Sequence, residues 1–383
     1  MLRGHRPVAF RAPSGYRRPT VLDLSTAPET ATPPLRMADF DFALPECLIA
    51  QAPARPRDSA RLLVVPPTGP FEDRIVRDLP ALLAPGDLLV VNDTRVIPAR
   101  LRGRRGAAHV ELLLNRAEGG GIWQALVRNA RRLRPGDQVD IEGAAGCSAR
   151  VVEHLGEGAV RLDFGPDPAA LADALERAGE VPLPPYINRP GGPRPEDAAD
   201  YQTVFARVPG AVAAPTASLH FTETLLAALE ARGVRRTTVT LHVGAGTFLP
   251  VRTEDPRAHR LHSEWGEVTE EAAARIAAAR RAGGRIVAVG TTALRLLETA
   301  TAETGVVQPF RGLTDLYILP GHRFRTADLL LTNFHLPRST LFMLACAFAG
   351  TARMRAAYAH AIERDYRFYS YGDATLLHRS DTP

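Results

Sequence analysis

Between Asp87 and Phe164 the chain carries seven short β-rich runs and no stretch of helical period: DLLVV, VIPARL, HVELLL, WQALV, QVDIE, ARVVEH and AVRLDF. Runs this short, separated by turn residues, cannot form helices of ordinary length, and strands in such close succession pair with their neighbours. The turn sequence L-x-P-G-D occurs twice, at Leu83–Asp87 and Leu133–Asp137. Proline followed by glycine sets a tight reversal at each. The pattern predicts a small antiparallel β-barrel over residues 85–165.

After Pro166 the period changes. Leu171 and Leu175 share one face of DPAALADALERAG, and Gly179 supplies the stop. The rest alternates: a helix near Glu223–Arg232, the strand TTVTLHV, a helix Thr269–Arg281, the strand RIVAVG, a helix from Ala293, the strand pieces LYIL and LLLT, and two C-terminal helices. Alternation of this kind predicts an α/β fold, with a mixed, substantially parallel sheet flanked by helices. That domain is expected to be discontinuous, over 37–84 and 166–383, with the small antiparallel β-barrel inserted between. Residues 1–36, rich in Pro, Arg, Ser and Thr without a period, are expected to be a disordered extension.

Composition narrows the chemistry. The formal charge of +5 is carried without a single lysine, so all 47 basic residues other than histidine are arginine. A P-loop, a pyridoxal Schiff base and a protein-kinase strand lysine are therefore excluded. Arginine still serves for phosphate, since its planar fork matches phosphate oxygens. The longest apolar run, from Ser339, is too short to span a bilayer. The N-terminal segment lacks the continuous apolar stretch of a secretory signal. Cys47, Cys147 and Cys346 form no C-x-x-C pair, which fits a reducing cytoplasm. A monomer in the cytoplasm, away from any membrane, is expected.

In open α/β sheets ligands bind beyond the carboxyl ends of the strands. Three loops at such positions carry polar groups: HVGAGTF with His242, Gly244, Gly246 and Thr247; VGTTALR with Thr291, Thr292 and Arg295; and LLTNFHLP with Asn333 and His335. GAVAAPTASLHF ends in a further imidazole, His220, after a run of small residues that lets backbone or ligand approach closely. Parallel strands would bring these loops together. GAGTFL lacks the third glycine of a dinucleotide fingerprint, and HRLHSE, with His259, His262 and Glu264, lacks a metal-binding spacing. Basic clusters on the barrel, Arg102, Arg104 and Arg105, then Arg131, Arg132 and Arg134, are candidates for a surface that tracks RNA phosphates.

GAVAAPTASLHF, VTLHVGAGTF, VGTT and LLTNFHLPRSTL, together with FDFALPECLIAQ, PGDLLVVNDTRVIPARL, LPPYINR, YQTVFA, HSE and YRFYSYGDA, resemble the S-adenosylmethionine:tRNA ribosyltransferase-isomerase family of queuosine synthesis. The resemblance runs over nearly the whole chain after Met37. It implies transfer and isomerisation of the ribosyl moiety of S-adenosylmethionine onto the 7-aminomethyl-7-deazaguanine base of the tRNA anticodon. Epoxyqueuosine, adenine and methionine are the products. Such chemistry needs a near-neutral base at C5′, a donor for adenine and an enclosed site. On this resemblance His220, His242, His262, His335 and Glu264 are the acid/base candidates. Gly244, Gly246, Thr247, Thr291, Thr292, Arg295 and Asn333 are the contacts to nucleoside or methionine carboxylate. No metal or exchangeable cofactor is implied beyond S-adenosylmethionine as co-substrate.

Five motifs depart from the family's usual residues, at Ser218, Ala293 with Leu294, Leu249, Phe205 and Leu261. Those at 218 and 293 add or remove a hydroxyl where a small ligand is expected. They keep open a paralogue that uses S-adenosylmethionine with a small-molecule acceptor. A non-catalytic RNA-binding protein is the reading of another class, and retention of every candidate histidine stands against it.

Overall fold

The computed structural model describes residues 35–244, 251 and 253–380. The expected N-terminal extension lies outside the described residues except for Leu35 and Arg36. Nine strands form the main sheet, in the order Phe310–Thr314, Glu264–Val268, Arg235–Leu241, Leu88–Asn92, Ile286–Val289, Leu329–Asn333, Ala374–His378, Arg61–Val65, Glu72–Ile75. The four from Arg235–Leu241 to Leu329–Asn333 run parallel, and antiparallel partners flank them on both sides. Alternate residues of these strands serve opposite faces. Leu88, Val90, Val239, Ile286 and Leu330 pack with the helices Glu270–Arg281, Thr291–Ala300 and Thr340–Ala349 on one side. Leu89, Val91, Val287 and Leu331 pack with the helix Glu223–Ala231 on the other.

The barrel is closed and has six antiparallel strands: Arg100–Arg105, Ala108–Gly119, Ile122–Val127, Gln138–Ile141, Ser148–Gly156 and Ala159–Asp163. Alternation fills its interior with Leu101, Leu112, Ala125, Val139, Val151 and Leu162, and the helix Pro168–Ala178 lays Leu171, Ala174 and Leu175 against that core. Of the seven expected strands one belongs elsewhere and a second is split. Leu88–Asn92, expected to open the barrel, is a central strand of the main sheet and is buried along its whole length. A strand covered by helices on both faces reads as a continuous apolar run, whereas barrel strands such as Gln138–Ile141 alternate. VIPARL is divided: Thr94–Val96 pairs with Val208–Ala211, and the barrel begins only at Arg100. LYIL is not a strand; Phe310–Thr314 takes the edge position instead.

The two L-x-P-G-D sequences make the same turn. Gly86 and Gly136 have φ of 93° and 91°, a left-handed region that glycine enters without steric cost. Each aspartate then accepts the N–H three residues back, Asp87 from Ala84 at 2.8 Å and Asp137 from Arg134 at 2.7 Å. Among the described residues no helix is long and apolar enough to cross a membrane.

Candidate active site

Parallel pairing brings the loops after the central strands to one edge of the sheet, and two cavities open there. The first, about 570 Å³, is lined by His242, Gly244, His262, Glu264 and Arg295 from the expected set, with Trp265 and Tyr317 beside them. The barrel supplies its other wall through Asn115 to Glu118 and Trp123. The second, about 490 Å³, is lined by Thr291, Thr292, Asn333 and His335. Thr340 and Leu341, at the start of the helix Thr340–Ala349, line both. The four imidazoles therefore do not share one chamber. His242 and His262 face the first cavity and His335 the second, while His220 lines neither. Gly246 and Thr247 lie outside the described residues.

Glu264 opens its strand and meets Arg295 from the helix Thr291–Ala300. The Arg295 Nη1 donates to Glu264 Oε2 at 2.6 Å, Arg295 Nε donates to the Leu316 carbonyl at 3.0 Å, and the Gly244 N–H donates to Glu264 Oε1 at 3.0 Å. Both side chains are only 7% exposed. Arg295 Nη2 is buried without a hydrogen-bond partner among the described residues. A guanidinium held this way is a fixed cation beside the cavity, and the carboxylate orients it. Among the described residues no group of three or more His, Cys, Asp or Glu is arranged to hold a metal ion.

His242 follows the strand Arg235–Leu241 and stacks on Trp265, with ring centroids 5.1 Å apart and planes 20° from parallel. A Cβ on Gly210 would lie 2.7 Å from the imidazole, so glycine is what lets the backbone reach the ring. His242 Nδ1 and Thr94 Oγ1 are 2.8 Å apart. Burial lowers the imidazole's pKa from 6.5, and the nearby Asp93 carboxylate opposes that shift. The ring is thus neutral at physiological pH and retains a free lone pair.

The other two imidazoles are more deeply placed. His220 ends a short 3₁₀ turn, Thr216–His220, and its Nε2 accepts from Asn333 Nδ2 at 3.3 Å. Thr216 in turn donates to Asn333 Oδ1 at 3.0 Å. His335 Nε2 lies 3.0 Å from Thr332 Oγ1. Burial, aided by Arg367 and Arg57, pushes His220 down to about 3, and burial alone does the same to His335. Both are neutral hydrogen-bonding groups that hold the second cavity's wall.

Asn92, Asp93 and Thr94 were not among the expected site residues. Asn92 ends the central strand Leu88–Asn92 and the other two follow it, and from behind the linings Thr94 contacts His242 of the first cavity and Asn92 contacts Thr292 of the second. Asn92 bridges Leu241 and Thr292, through Nδ2 at 2.9 Å and 3.3 Å. Thr240 donates to the buried Asp93 at 2.6 Å, and Arg207 pairs with the same carboxylate. The signal was legible as three polar residues directly after an apolar strand, but it was masked once that strand was assigned to the barrel.

The barrel arginines divide into two groups. Arg102, Arg104 and Arg105 are ion-paired with Glu180, Glu142 and Asp137 at 3.0, 2.7 and 2.7 Å. Arg131, Arg132 and Arg134 are exposed. The departures at 218 and 293 do not touch either cavity. Ser218 is wholly buried inside its turn, and Ala293 packs into the apolar core beneath the sheet. The expected effect of a hydroxyl on a bound ligand therefore has no contact to act through. Phe205 packs against Phe221, Leu249 lies outside the described residues, and Leu261 does line the first cavity.

The family model described as queuosine biosynthesis protein matches residues 37–377. The chain belongs to the queuosine biosynthesis protein family. It is similar to S-adenosylmethionine:tRNA ribosyltransferase-isomerase of Gluconacetobacter diazotrophicus, 62% identical over 90% of this chain and 96% of that one. The relative of the same name in Acidiphilium cryptum is 59% identical, over 90% of this chain and the whole of the relative. A crystal structure of S-adenosylmethionine tRNA ribosyltransferase from Thermotoga maritima matches 88% of this chain and 99% of that chain, with a TM-score of 0.51 and 37% identity. Family membership and fold thus agree with the motif resemblance.

Proposed function

We propose that this protein is a cytoplasmic, monomeric enzyme that transfers the ribosyl moiety of S-adenosylmethionine to 7-aminomethyl-7-deazaguanine in a tRNA anticodon and isomerises it. Epoxyqueuosine-tRNA, adenine and methionine are the products, and no resident cofactor or metal takes part. The observation that carries this reading is the first cavity. It sets one neutral imidazole, His242, beside a buried arginine-carboxylate pair at the carboxyl edge of parallel strands.

In this role His242 removes the C5′ proton. Its own proton then resides on Nδ1 and is donated to Thr94 Oγ1, whose hydroxyl points to the Val208 carbonyl at 3.5 Å. That leaves Nε2 as the base. Arg295 supplies positive charge for the methionine carboxylate, and Glu264 fixes its orientation. Thr291, Thr292 and Asn333 contact the nucleoside from the second cavity. Walls from both the sheet and the barrel exclude water from the intermediates.

The test is incubation with S-adenosylmethionine and tRNA carrying the deazaguanine base, with adenine release and mass gain of the anticodon followed together. Both are expected, and His242→Asn is expected to abolish both. Adenine released only with a free deazapurine would replace tRNA by a small-molecule acceptor, and RNA binding without any adenine would remove catalysis.

A further inference from the structure

A third depression, a cleft of about 1250 Å³, lies beside the first cavity and shares Leu261 and His262 with it. One wall is the barrel loop Asn129–Arg132 with the hairpin around Glu157, and the other is the segment Ala258–His262. The charge is one-sided: Arg131, Arg132 and Arg260 line it with three imidazoles, His154, His259 and His262, against the single carboxylate of Glu157. None of these three arginines makes an ion pair among the described residues, whereas their neighbours Arg102, Arg104, Arg105, Arg150 and Arg161 all do.

The loop that presents two of them is held in place. Asn129 sits in the left-handed region at φ 62° and starts the turn Ala130–Arg132. Arg105 Nη1 donates both to the Arg132 carbonyl and to Asp137, each at 2.7 Å. His154 Nε2 donates to the Leu133 carbonyl at 2.9 Å. Arg105 thus braces the loop, and the guanidinium groups of Arg131 and Arg132 stay free for an outside anion. Cations fixed on a rigid support and lacking internal partners are what a polyanion recognises with little ordering cost.

We infer that this cleft holds the sugar-phosphate backbone of single-stranded RNA next to the nucleotide that enters the first cavity. The strand passes from cleft to cavity over Leu261 and His262, and Arg131, Arg132 and Arg260 take the phosphates. This rests on the tRNA reading above and assigns it a surface. It also moves the phosphate contacts away from Arg102, Arg104 and Arg105.

The experiment is a titration of the intact protein with a fluorescent anticodon stem-loop RNA at salt from 50 to 200 mM. Arg131→Gln/Arg132→Gln/Arg260→Gln is compared with a charge-matched control on the far helices and strands, Arg232→Gln/Arg235→Gln/Arg281→Gln. At about 0.7 of logarithmic salt slope per single-strand phosphate contact, three lost contacts lower the slope by about 2. Over that salt range the wild-type affinity then falls roughly 20-fold more than that of the cleft variant. The control should keep the wild-type slope, and the thermal midpoints of both variants should stay within a degree or two of wild type. Equal slopes in the cleft variant and wild type, with wild-type turnover of S-adenosylmethionine and tRNA intact, would overturn the cleft and leave the activity standing. A wild-type protein that neither binds the RNA nor releases adenine would overturn both.

Discussion

Replacing Glu264 by glutamine removes one charge and almost no volume, which makes it a sharp probe of the pair behind the first cavity. In the native protein Arg295 spends Nη1 on Glu264 at 2.6 Å and Nε on Leu316, with Nη2 already unpartnered among the described residues. The amide of a glutamine still accepts the Gly244 N–H, so that contact at 3.0 Å survives. What is lost is the acceptor for Arg295 Nη1, which now faces the amide NH2, together with the neutralising charge beside a guanidinium that is 7% exposed. Leaving one member of a buried pair uncompensated costs about 3–5 kcal/mol, well above the ~1 kcal/mol ceiling of an exposed pair. With a urea m-value near 3 kcal/mol/M, the unfolding midpoint falls by about 1–1.7 M. The loss persists at 0.5 M NaCl, because mobile ions do not reach the pair. Glu264→Gln/Arg295→Met, which removes both charges, is expected to be more stable than the single variant although it lacks two polar groups. A single variant within about 1 kcal/mol of wild type, or a double variant no better than the single, would refute the account of a buried charge that depends on its partner.

Three further outcomes follow from the same geometry. If His242 is the base, kcat/KM for adenine release falls as pH drops through its pKa, an acid limb lying below pH 6.5 because burial lowers that value; Thr94→Val should lower kcat with little change in KM, as read from pH–rate profiles. His220 and His335 are held near 3 in the fold and titrate near 6.5 when unfolded, so stability is complete above pH 6.5 and lost as pH falls toward 3. At about 1.4 kcal/mol per pH unit for each, roughly 4 kcal/mol disappears between pH 6.5 and 5 in urea titrations, and His335→Gln should remove about half of that slope. Gly210→Ala puts a methyl 2.7 Å from the His242 ring, so kcat is expected to drop at least about tenfold, the scale of ~1.4 kcal/mol, while circular dichroism stays native.

The helices and the parallel strands were legible because each carries its own period: Leu171 and Leu175 on one face, or VAV and LLLT running unbroken through a covered sheet. The same rule, applied more strictly, separates Leu88–Asn92 from the barrel, since DLLVV does not alternate. Its misplacement hid Asn92, Asp93 and Thr94, which stand where strand-end chemistry belongs. LYIL has the composition of a strand, but Phe310–Thr314 already pairs with Glu264–Val268 at the edge, and among the described residues Leu316–Leu319 pairs with no strand. The arginines carried no such local signal. Whether a guanidinium is spent depends on a carboxylate brought from far along the chain, Glu180 for Arg102 or Glu142 for Arg104. The grouping of histidines was half legible: strand-end loops do converge, but which of two chambers each ring faces depends on the turn that carries it.

The small-residue run before His220 is explained by what it passes between. Val208–Ala211 pairs with Thr94–Val96, and the Val212 and Ala213 N–H groups both donate to the Val243 carbonyl, two residues past the end of the central strand Arg235–Leu241. From there consecutive residues enter different apolar clusters: Val212 the barrel core, Ala213 one face of the sheet, Ala214 and Leu219 the small cluster around Tyr201, and Ala217 and Phe221 the other face. A seam shared by so many packed bodies leaves room for only a methyl or two at each step. The run also touches both cavities, with Gly210 against His242 in the first and Ala213, Ala214, Pro215 and Thr216 lining the second, where Thr216 donates to Asn333. A larger side chain within the run would therefore push the barrel from the sheet and shift the walls of both chambers together. The run's lack of chemistry is the condition for holding two sets of chemical groups in fixed relation, with His220 as its buried terminal anchor.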